Sequence, residues 1–258
     1  MQNSEPSHSP YTLIIADIHL QPEDNHPINQ AFYAFLEEQA PKAEALYILG
    51  DLFEMWVGDD IGLEQYAKFI HKFKSLTQNG LPIFLQYGNR DFLMKHAFSE
   101  ATGINILDDI EVITLYNEPY LLLHGDNLCT DDIGYQRMRK LFRNQLIQWI
   151  FLHLCRKRRL FIGHKMRTNS KQHSKQKDLQ IMDVNQNSLC ELFKQHPEVS
   201  HMIHGHTHRP NHHIIEAEHK TLHRWVLGDW RPQAKIIKVD SNGPQLIDYS
   251  ISDERLPY

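Results

Sequence analysis

The sequence is poor in cysteine. Of its 258 residues, only Cys129, Cys155 and Cys190 carry thiols, and no two of them form a CxxC pair. This spacing argues against a disulfide framework and against a thiolate metal site, and it fits a reducing cytosol.

Long apolar runs are also absent. No uninterrupted run approaches the roughly 20 apolar residues that a membrane-spanning helix needs, so we expect the chain not to cross a membrane. The first residues, MQNSEPSHSP, lack the basic and apolar regions of a secretory signal. We expect residues 1–10 to form a disordered leader and residues 11–258 to form one domain.

Acidic residues are missing from one long segment. From Ile133 to Lys177 the chain has 13 Lys and Arg and no Asp or Glu, although the net charge of the whole sequence is −5. Apolar residues such as Leu141, Trp149 and Phe161 alternate with these bases, which favours amphipathic helices over a disordered tail. We expect a helical cap inserted at about 133–177; the alternative is a solvated helix face over a structural core.

Short apolar runs that end in polar residues recur along the chain. They are TLIIA, ALYILG, PIFLQYG, YLLL and MIHG, and their length and turn-forming ends predict buried strands. Helical patterns at 29–39 and 63–78 lie between them, so we expect an α/β fold with ligands beyond the carboxyl ends of the strands. The last segments, HHIIEA, TLHRWVLG, AKIIKV and QLIDYSI, predict a second, mainly antiparallel sheet.

Seven potential metal ligands follow these strands. They are Asp17, His19, Asp51, Asn89, His124, His206 and His208. Two carboxylates, one amide and four imidazoles suit Mn²⁺, Zn²⁺ or Fe²⁺ better than Ca²⁺ or Mg²⁺. Seven ligands exceed the needs of one ion, which indicates a pair of ions that share a carboxylate. Taken singly, each residue also has a structural explanation as a helix cap, a turn residue or a buried, hydrogen-bonded imidazole.

The order and spacing of these motifs are similar to those of the calcineurin-like binuclear metallophosphoesterases. The motifs are DxH at 17–19, GD at 50–51, GNxD at 88–91, the strand-end His124 and GHTH at 205–208. The resemblance implies an α/β sandwich of two mixed β-sheets flanked by helices. It also implies one ion held by Asp17, His19, Asp51 and His208, and a second held by Asp51, Asn89, His124 and His206.

Longer stretches resemble one branch of that family. They include ALYILGDLFEMWVGDD (45–60), HGDNLCTDD (124–132), MRTNSK (166–171) and IMDVNQN (181–187). The branch cleaves the pyrophosphate bond of a UDP-linked diacylglucosamine lipid in bacterial lipid A synthesis. The resemblance therefore implies attack of metal-activated water on the phosphorus nearer uridine, two divalent ions for which Mn²⁺ is expected, and peripheral binding to the anionic cytoplasmic face of the inner membrane.

The same resemblance implies a set of substrate contacts. They are Asn89, Arg90, Asp132, Ser170, Ser174, Lys177 and His206. At position 174 the branch leads us to expect Asn, so the Ser at this position departs from its pattern.

Arg90 stands where many relatives of the broader family have a histidine that protonates the leaving group. A guanidinium is a poor proton donor near neutral pH, so cleavage of an alkyl phosphoester would lose its general acid. Pyrophosphate cleavage expels a phosphate anion and needs charge neutralisation instead. We expect Asp51, Asn89, Arg90 and His206 to serve catalysis, the last three by binding the transferring phosphoryl group.

Several further roles are open at this stage. Asp91 and Asp126 either orient the histidine ligands or cap helices. The run RKRR, Arg156 to Arg159, is expected to contact anionic lipid.

Two rival functions share this metal core. A nuclease would use the basic segment against a nucleic acid backbone, but the segment has no ladder of aromatic residues for stacking, and we expect no nucleic acid partner. A membrane-surface adaptor stabilised by metal is the third reading. His201, His204, His212 and His213 are expected to be structural, and the oligomeric state is not predicted.

Overall fold

A computed structural model describes residues 9–176, 183–217, 220–231 and 233–250, with the side chains of 170–176 left out. Of the predicted substrate contacts, Lys177 lies outside the described residues, as do the side chains of Ser170 and Ser174. Most of the predicted leader, residues 1–8, lies outside them too.

Strands and helices alternate through the first half of the chain, as the sequence predicts. The described strands are β1 (Thr12–Ile15), β2 (Ala45–Leu49), β3 (Ile83–Gln86), β4 (Asn105–Ile106), β5 (Ile110–Leu115), β6 (Glu118–Leu123), β7 (His201–His204), β8 (Asn211–Glu216), β9 (Thr221–Val226), β10 (Ala234–Asp240) and β11 (Gly243–Tyr249). The described α-helices are α1 (Pro27–Glu38), α2 (Asp59–Gln65), α3 (Ala67–Gln78), α4 (His96–Thr102), α5 (Ile133–Phe142), α6 (Gln145–Leu152), α7 (Arg156–Gln176) and α8 (Gln186–Gln195). Short 3₁₀ helices cover Ala40–Lys42 and Asp126–Leu128.

The strands form two mixed sheets, which confirms the predicted fold class. The first sheet has the order β11-β10-β1-β2-β3-β4 and the second has the order β5-β6-β7-β9-β8. Within the first, β1 to β4 are parallel while β10 and β11 are antiparallel. In the second, β6, β7 and β9 are parallel, and β5 and β8 are antiparallel edges.

The prediction of a separate antiparallel sheet from the last four segments was wrong. Strands β8 and β9 complete the second sheet, whereas β10 pairs with β1 and extends the first sheet. Alternating apolar residues indicate that a segment is a strand, but they do not encode which exposed sheet edge it will join.

The two sheets pack face to face across an apolar layer. Ile14 and Leu49 of the first sheet and Tyr120 and Ile203 of the second are buried in this layer. Because β1, β2, β3, β6 and β7 point the same way across it, their carboxyl ends meet at one rim. The polar residues that follow these strands are brought together there.

The predicted helix over 63–78 is two helices. Helix α2 ends at Gln65 and α3 begins at Ala67, because Tyr66 leaves the helical region with φ −112° and ψ 28°. The phenol ring of Tyr66 is buried against Phe53 and Trp56, so the break places a large aromatic side chain in the core.

The predicted cap segment folds as α5, α6 and α7, which project a largely apolar surface to solvent. Most of the exposed large apolar side chains in the described residues belong to it: Ile133, Met138, Leu141, Leu146, Trp149, Ile150, Phe161 and Met166. None of the helices in the described ranges has the length and apolarity needed to cross a bilayer.

The prediction that RKRR contacts lipid was wrong for its last member, and for Arg156 to Arg158, which are exposed, it stays a prediction. Arg159 is 4% exposed, and its guanidinium donates to Val57 O at 2.7 Å and to both carboxylate oxygens of Asp60 at 2.8 and 2.6 Å. Arg156 pairs with Glu64 on the same helix α2. The contacts of Arg159 fix the start of α7 to α2, because an acid from another part of the chain neutralises a base in a segment that has no acids of its own.

Candidate metal centre and active site

The loops after β1 and β2 hold the first group of predicted ligands. The backbone N–H of Asp17 donates to Gly50 O at 3.1 Å, and that of His19 donates to Asp51 O at 3.0 Å. These bonds place Asp17 and His19 beside His208, whose Nε2 lies 3.4 Å from Asp17 Oδ1 and 3.3 Å from His19 Nε2.

Asn89, His124 and His206 form the second group. The Asn89 Oδ1 atom lies 3.2 Å from His124 Nε2 and 3.2 Å from His206 Nδ1. His124 Nδ1 is 2.8 Å from the carbonyl oxygen of Leu49, a contact that needs the proton on Nδ1 and leaves Nε2 with a free lone pair. One amide oxygen and two imidazole nitrogens therefore converge.

Asp51 lies between the two groups. Its Oδ2 is 3.9 Å from His19 Nδ1, and its Oδ1 is 3.8 Å from His124 Nε2. The structure thus brings all seven predicted ligands to one rim. Two subsets, Asp17 with His19 and His208, and Asp17 with Asp51 and His124, each offer ligand atoms within 4.8 Å of one another.

Backbone strain is concentrated at these residues. Asp17, His19, Asp51, His206 and His208 all have positive φ angles, between 53° and 70°. Left-handed backbone costs a non-glycine residue about 1–3 kcal/mol, and such strain clusters at functional sites. The loops therefore hold these side chains in place at the expense of stability.

The side chains fit divalent cations. Asp17 Oδ1 and His19 Nδ1 are buried and have no hydrogen-bond partner within the described part of the chain. Buried polar atoms without partners are costly unless a ligand satisfies them. The space is also kept open by glycine: a Cβ atom at Gly88 would overlap Asp51 Oδ1, and one at Gly205 would overlap Asp17 Oδ2.

The protonation of the imidazoles reflects the crowding of the site. Burial lowers the pKa of His206 to about 4. Burial also disfavours the charged form of His208, but Asp17 and Asp229 outweigh it and raise the pKa of His208 to about 10. The protein without metal therefore neutralises Asp17 with a protonated histidine, which a cation would displace.

Comparison with known proteins decides the family. The family model described as calcineurin-like phosphoesterase matches residues 11–210. The chain belongs to the calcineurin-like phosphoesterases. It is also 44% identical over 238 residues to a protein named UDP-2,3-diacylglucosamine hydrolase from Edwardsiella ictaluri (strain 93-146), covering 92% of this chain and 91% of that protein. A protein of the same name from Yersinia pestis bv. Antiqua (strain Angola) is equally similar and is covered to 98%.

As a calcineurin-like phosphoesterase, the chain is a metal-dependent hydrolase, and the resemblance read from its motifs is confirmed. Within the site of this phosphoesterase, Arg90 lies against Asp51. Its Nε is 3.3 Å from Asp51 Oδ2, and its backbone N–H donates to Asp51 Oδ1 at 3.0 Å. A guanidinium, and not an imidazole, therefore stands next to the central carboxylate.

Sequence reasoning missed Glu54, which fixes Arg90. The buried carboxylate of Glu54 accepts from Arg90 Nη1 through one oxygen and from Arg167 Nε at 2.5 Å through the other. Arg167 belongs to α7, so one glutamate connects the cap to the metal site. No pattern in the run LFEMW indicates a role for Glu54, because the arginines that contact it come from distant segments of the chain.

Asp229 was missed as well. Its Oδ2 lies 3.3 Å from Nδ1 of His208, so it orients this imidazole and leaves Nε2 to face Asp17. A signal for it exists in the sequence: Asp229 follows strand β9 as Gly-Asp, the pattern that also places Asp51 after β2 and Asp126 after β6.

Neither role considered for Asp91 and Asp126 was right. Asp91 accepts from the backbone N–H groups of Leu52 and Gly88, both at 2.7 Å, and so ties two ligand loops together. Asp126 accepts from Tyr135 Oη at 2.8 Å and from Arg139 Nε at 2.7 Å, which fixes α5. Both carboxylates support the site through neighbouring loops and helices instead of through histidine.

One predicted substrate contact on the cap has a structural role. Asp132 is the N-cap of α5, and its Oδ1 accepts from the Tyr135 backbone N–H at 3.0 Å. The ring of Tyr135 lies 5.9 Å from that of His206. The start of the cap is therefore adjacent to the metal ligands.

Proposed function

We propose that this phosphoesterase hydrolyses the pyrophosphate bond of UDP-2,3-diacylglucosamine to UMP and 2,3-diacylglucosamine 1-phosphate, a step of lipid A synthesis. The names of its relatives support the substrate. The observation that carries the reaction type is Arg90, held by Glu54 beside Asp51. A leaving phosphate needs a cation, which this guanidinium supplies, and it does not need a proton.

We assign two divalent ions, Mn²⁺ in our proposal, to the seven ligands. One would be held by Asp17, His19 and His208, the other by Asn89, His124 and His206, with Asp51 between them. Such ions lower the pKa of bound water and stabilise charge on a transferring phosphoryl group. The mixed oxygen and nitrogen donors support Mn²⁺ over Mg²⁺.

The residues of the chain bind and orient the pyrophosphate. Arg90 and Arg167 present two guanidinium groups on the carboxylate of Glu54, and Asn89 Oδ1 lies 3.2 Å from His206 Nδ1. The attacked phosphorus is the one nearer uridine. Water attacks it, its bond to the bridging oxygen breaks, and the bond electrons leave with the sugar 1-phosphate, whose charge the guanidinium groups neutralise.

The cap accounts for a lipid substrate. Its exposed apolar residues and its bases are combined on α5, α6 and α7, a composition suited to acyl chains and to an anionic bilayer surface. Peripheral binding to the cytoplasmic face of the inner membrane, and substrate contacts at Asp132, Ser170, Ser174 and Lys177, are part of this proposal.

Hydrolysis in H₂¹⁸O tests the reaction. The full-length protein is incubated with Mn²⁺ and the UDP-linked lipid, and both products are analysed by mass spectrometry. We expect ¹⁸O in UMP and none in the sugar 1-phosphate. Label in the sugar phosphate would contradict the attack on the uridine side, and faster turnover of single-stranded DNA under the same conditions would indicate a nuclease.

A further inference from the structure

A cavity with polar and apolar sides lies beside the candidate metal centre, at the rim of the second sheet. Its volume is about 240 Å³, and its lining includes Asp183, Thr207, Arg209, Asn211, His213 and Arg224. Pockets that enclose whole drug-sized ligands measure about 300–1,000 Å³, so this cavity matches a fragment such as a nucleoside better than a diacylated lipid. None of its residues belongs to the ligand set or to the predicted substrate contacts.

Arg224 is the unusual member of the lining. Its side chain comes from β9 and is only 5% exposed, yet its Nε has no hydrogen-bond partner among the residues described. A buried N–H donor without a partner is costly, and an acceptor oxygen satisfies it. The cavity therefore presents a cationic donor to whatever enters it.

The other polar groups that line the cavity include charged and neutral side chains. Arg209 Nη1 donates to Asp183 Oδ2 at 2.8 Å, so these two charges offset each other. Burial, and then the charge of Arg224, lowers the pKa of His213, which is consequently neutral at pH 7. The charge of Asp183 also opposes the fall in the pKa of Arg224 that burial causes, so Asp183 serves both guanidinium groups, and Val226 adds an apolar side.

The cavity adjoins the metal ligands through one residue. Thr207 lines it and stands in the chain between His206 and His208. Adjacent Cα atoms are about 3.8 Å apart, so the cavity begins within a few ångströms of the backbone of both residues. A group that is bonded to a phosphorus atom at the metal centre can reach it.

We propose that this cavity binds the uridine half of the substrate and of the product UMP, an inference that rests on the proposed function. Uracil has two carbonyl oxygens on either side of one N–H. One carbonyl oxygen accepts from Arg224, and Asn211 Oδ1 accepts from the ring N–H. The oxygens of Asn211 and Asp183 already accept from His212 N, Val184 N and Arg209 Nη1, and their second lone pairs serve the ring N–H and the ribose hydroxyls. The leaving half, with its acyl chains, then extends in the other direction, toward the cap.

Calorimetric titration of the full-length, Mn²⁺-loaded protein tests the site. The probes are UMP, uridine and inorganic phosphate, and the variants are Arg224→Met, Asn211→Ala and the surface control Lys194→Met on α8. We expect the wild type to bind UMP at least about tenfold more tightly than phosphate, since a nucleoside adds hydrogen bonds to a charged donor. Arg224→Met should abolish that preference without changing phosphate affinity, and Lys194→Met should match the wild type.

Three results would overturn the assignment. The first is equal affinity of the wild type for UMP and phosphate, and the second is unchanged UMP binding in Arg224→Met. The third is a loss of phosphate affinity in Arg224→Met as large as its loss of UMP affinity, which would indicate a simple anion site. If Arg224→Met does not fold, Asn211→Ala at the exposed rim decides, with at least a threefold loss of UMP affinity expected and unchanged affinity refuting the site. Failure of the proposed function is distinguishable, because UMP would still bind through Arg224 while the UDP-linked lipid stayed intact.

Discussion

The backbone N–H of His206 donates a 2.7 Å hydrogen bond to Oδ2 of Asp17, although the two residues are 189 positions apart and follow strands of different sheets. This bond sets the separation of the two halves of the metal centre. It occupies one oxygen of Asp17 and leaves Oδ1 buried without a hydrogen-bond partner in the described residues. The hydrogen bond therefore positions the carboxylate of Asp17 in the protein without metal.

Asp51→Ala should reduce turnover of the UDP-linked lipid by about 1,000-fold, equivalent to about 4 kcal/mol of transition-state stabilisation. The reason is that the carboxylate between the two ligand groups is lost. Bound Mn²⁺, measured by elemental analysis after gel filtration, should fall below the two equivalents expected for the wild type. Full activity in this variant would contradict the shared role of Asp51.

Removal of metal should destabilise the protein. At a free Mn²⁺ concentration 100-fold above the dissociation constant, binding to the folded state alone adds about 2.7 kcal/mol to the free energy of unfolding. The strained loops, and the buried atoms of Asp17 and His19 that make no hydrogen bond within the described residues, make the protein depend on this contribution. Calorimetry with and without chelator measures it; an unchanged melting temperature would argue against the site.

Asp229→Asn should weaken metal binding by about 10- to 100-fold, the usual effect of losing a carboxylate that orients a histidine ligand. Asp229 raises the pKa of His208 and fixes its ring through the 3.3 Å contact. Asp248→Asn is the matched control, because Asp248 is exposed and its carboxylate pairs with Lys235, far along the chain from the predicted metal ligands. Equal Mn²⁺ affinity in the two variants would contradict the assignment.

Glu54→Gln should lower kcat for the UDP-linked lipid by at least about tenfold while leaving Mn²⁺ stoichiometry unchanged. The variant removes the charge that holds Arg90 and Arg167 together, and two adjacent cations then repel each other. Glu64→Gln provides a control, since Glu64 pairs with Arg156 on the exposed surface, where ion pairs contribute little. The two variants should differ in kcat; a shared effect would mean that cap attachment in general, and not Arg90, is responsible.

The convergence of the seven predicted ligands could be foreseen from the sequence because each follows a short apolar strand, and parallel strands bring their carboxyl ends to one edge. The same reasoning could not find Glu54 or assign β10 to the first sheet, since both depend on pairing between distant segments. Asp229 was within reach: its strand-Gly-Asp pattern is that of Asp51. It was missed because β9 was placed in the wrong sheet, away from the metal-binding edge.

Charge patterning was informative about the cap and misleading about its individual bases. The absence of acids from 133–177 predicted a distinct segment, and helices α5 to α7 occupy it. Arg159, however, is buried against Asp60 because α7 packs on α2, a contact that a local charge count does not include.

Arg159→Met should therefore lower the free energy of unfolding by about 2 kcal/mol, because hydrogen bonds from a charged group to Val57 and Asp60 are lost and a backbone carbonyl is left unpaired. Urea denaturation measures the change. Arg158→Met, at an exposed position in the same run, should stay within about 0.5 kcal/mol of the wild type. Equal losses in the two variants would indicate that α7 is not fixed through Arg159.

The histidine stack on the outer part of the second sheet should make stability depend on pH. Burial, followed by repulsion from His223 and His212, lowers the pKa of His201 to about 4, compared with 6.5 in an unfolded chain. Between these values the unfolded chain takes up a proton that the folded protein does not, so the contribution of neutral His201 is fully present above pH 6.5 and is lost as the pH falls toward 4. Trp225 Nε1 donates to His201 Nδ1 at 3.3 Å, which also requires the neutral ring.

His201→Gln removes this titration. Urea denaturation at several pH values should show that the wild type loses more stability between pH 6.5 and 4 than His201→Gln does, whereas the exposed control His96→Gln follows the wild type. His223 and His212 stack on each other beside His201, and Tyr120 packs against it from β6, so the same rings surround the glutamine side chain in the variant. Parallel pH profiles for the wild type and His201→Gln would show that the His201 ring is protonated as readily in the folded protein as in the unfolded chain.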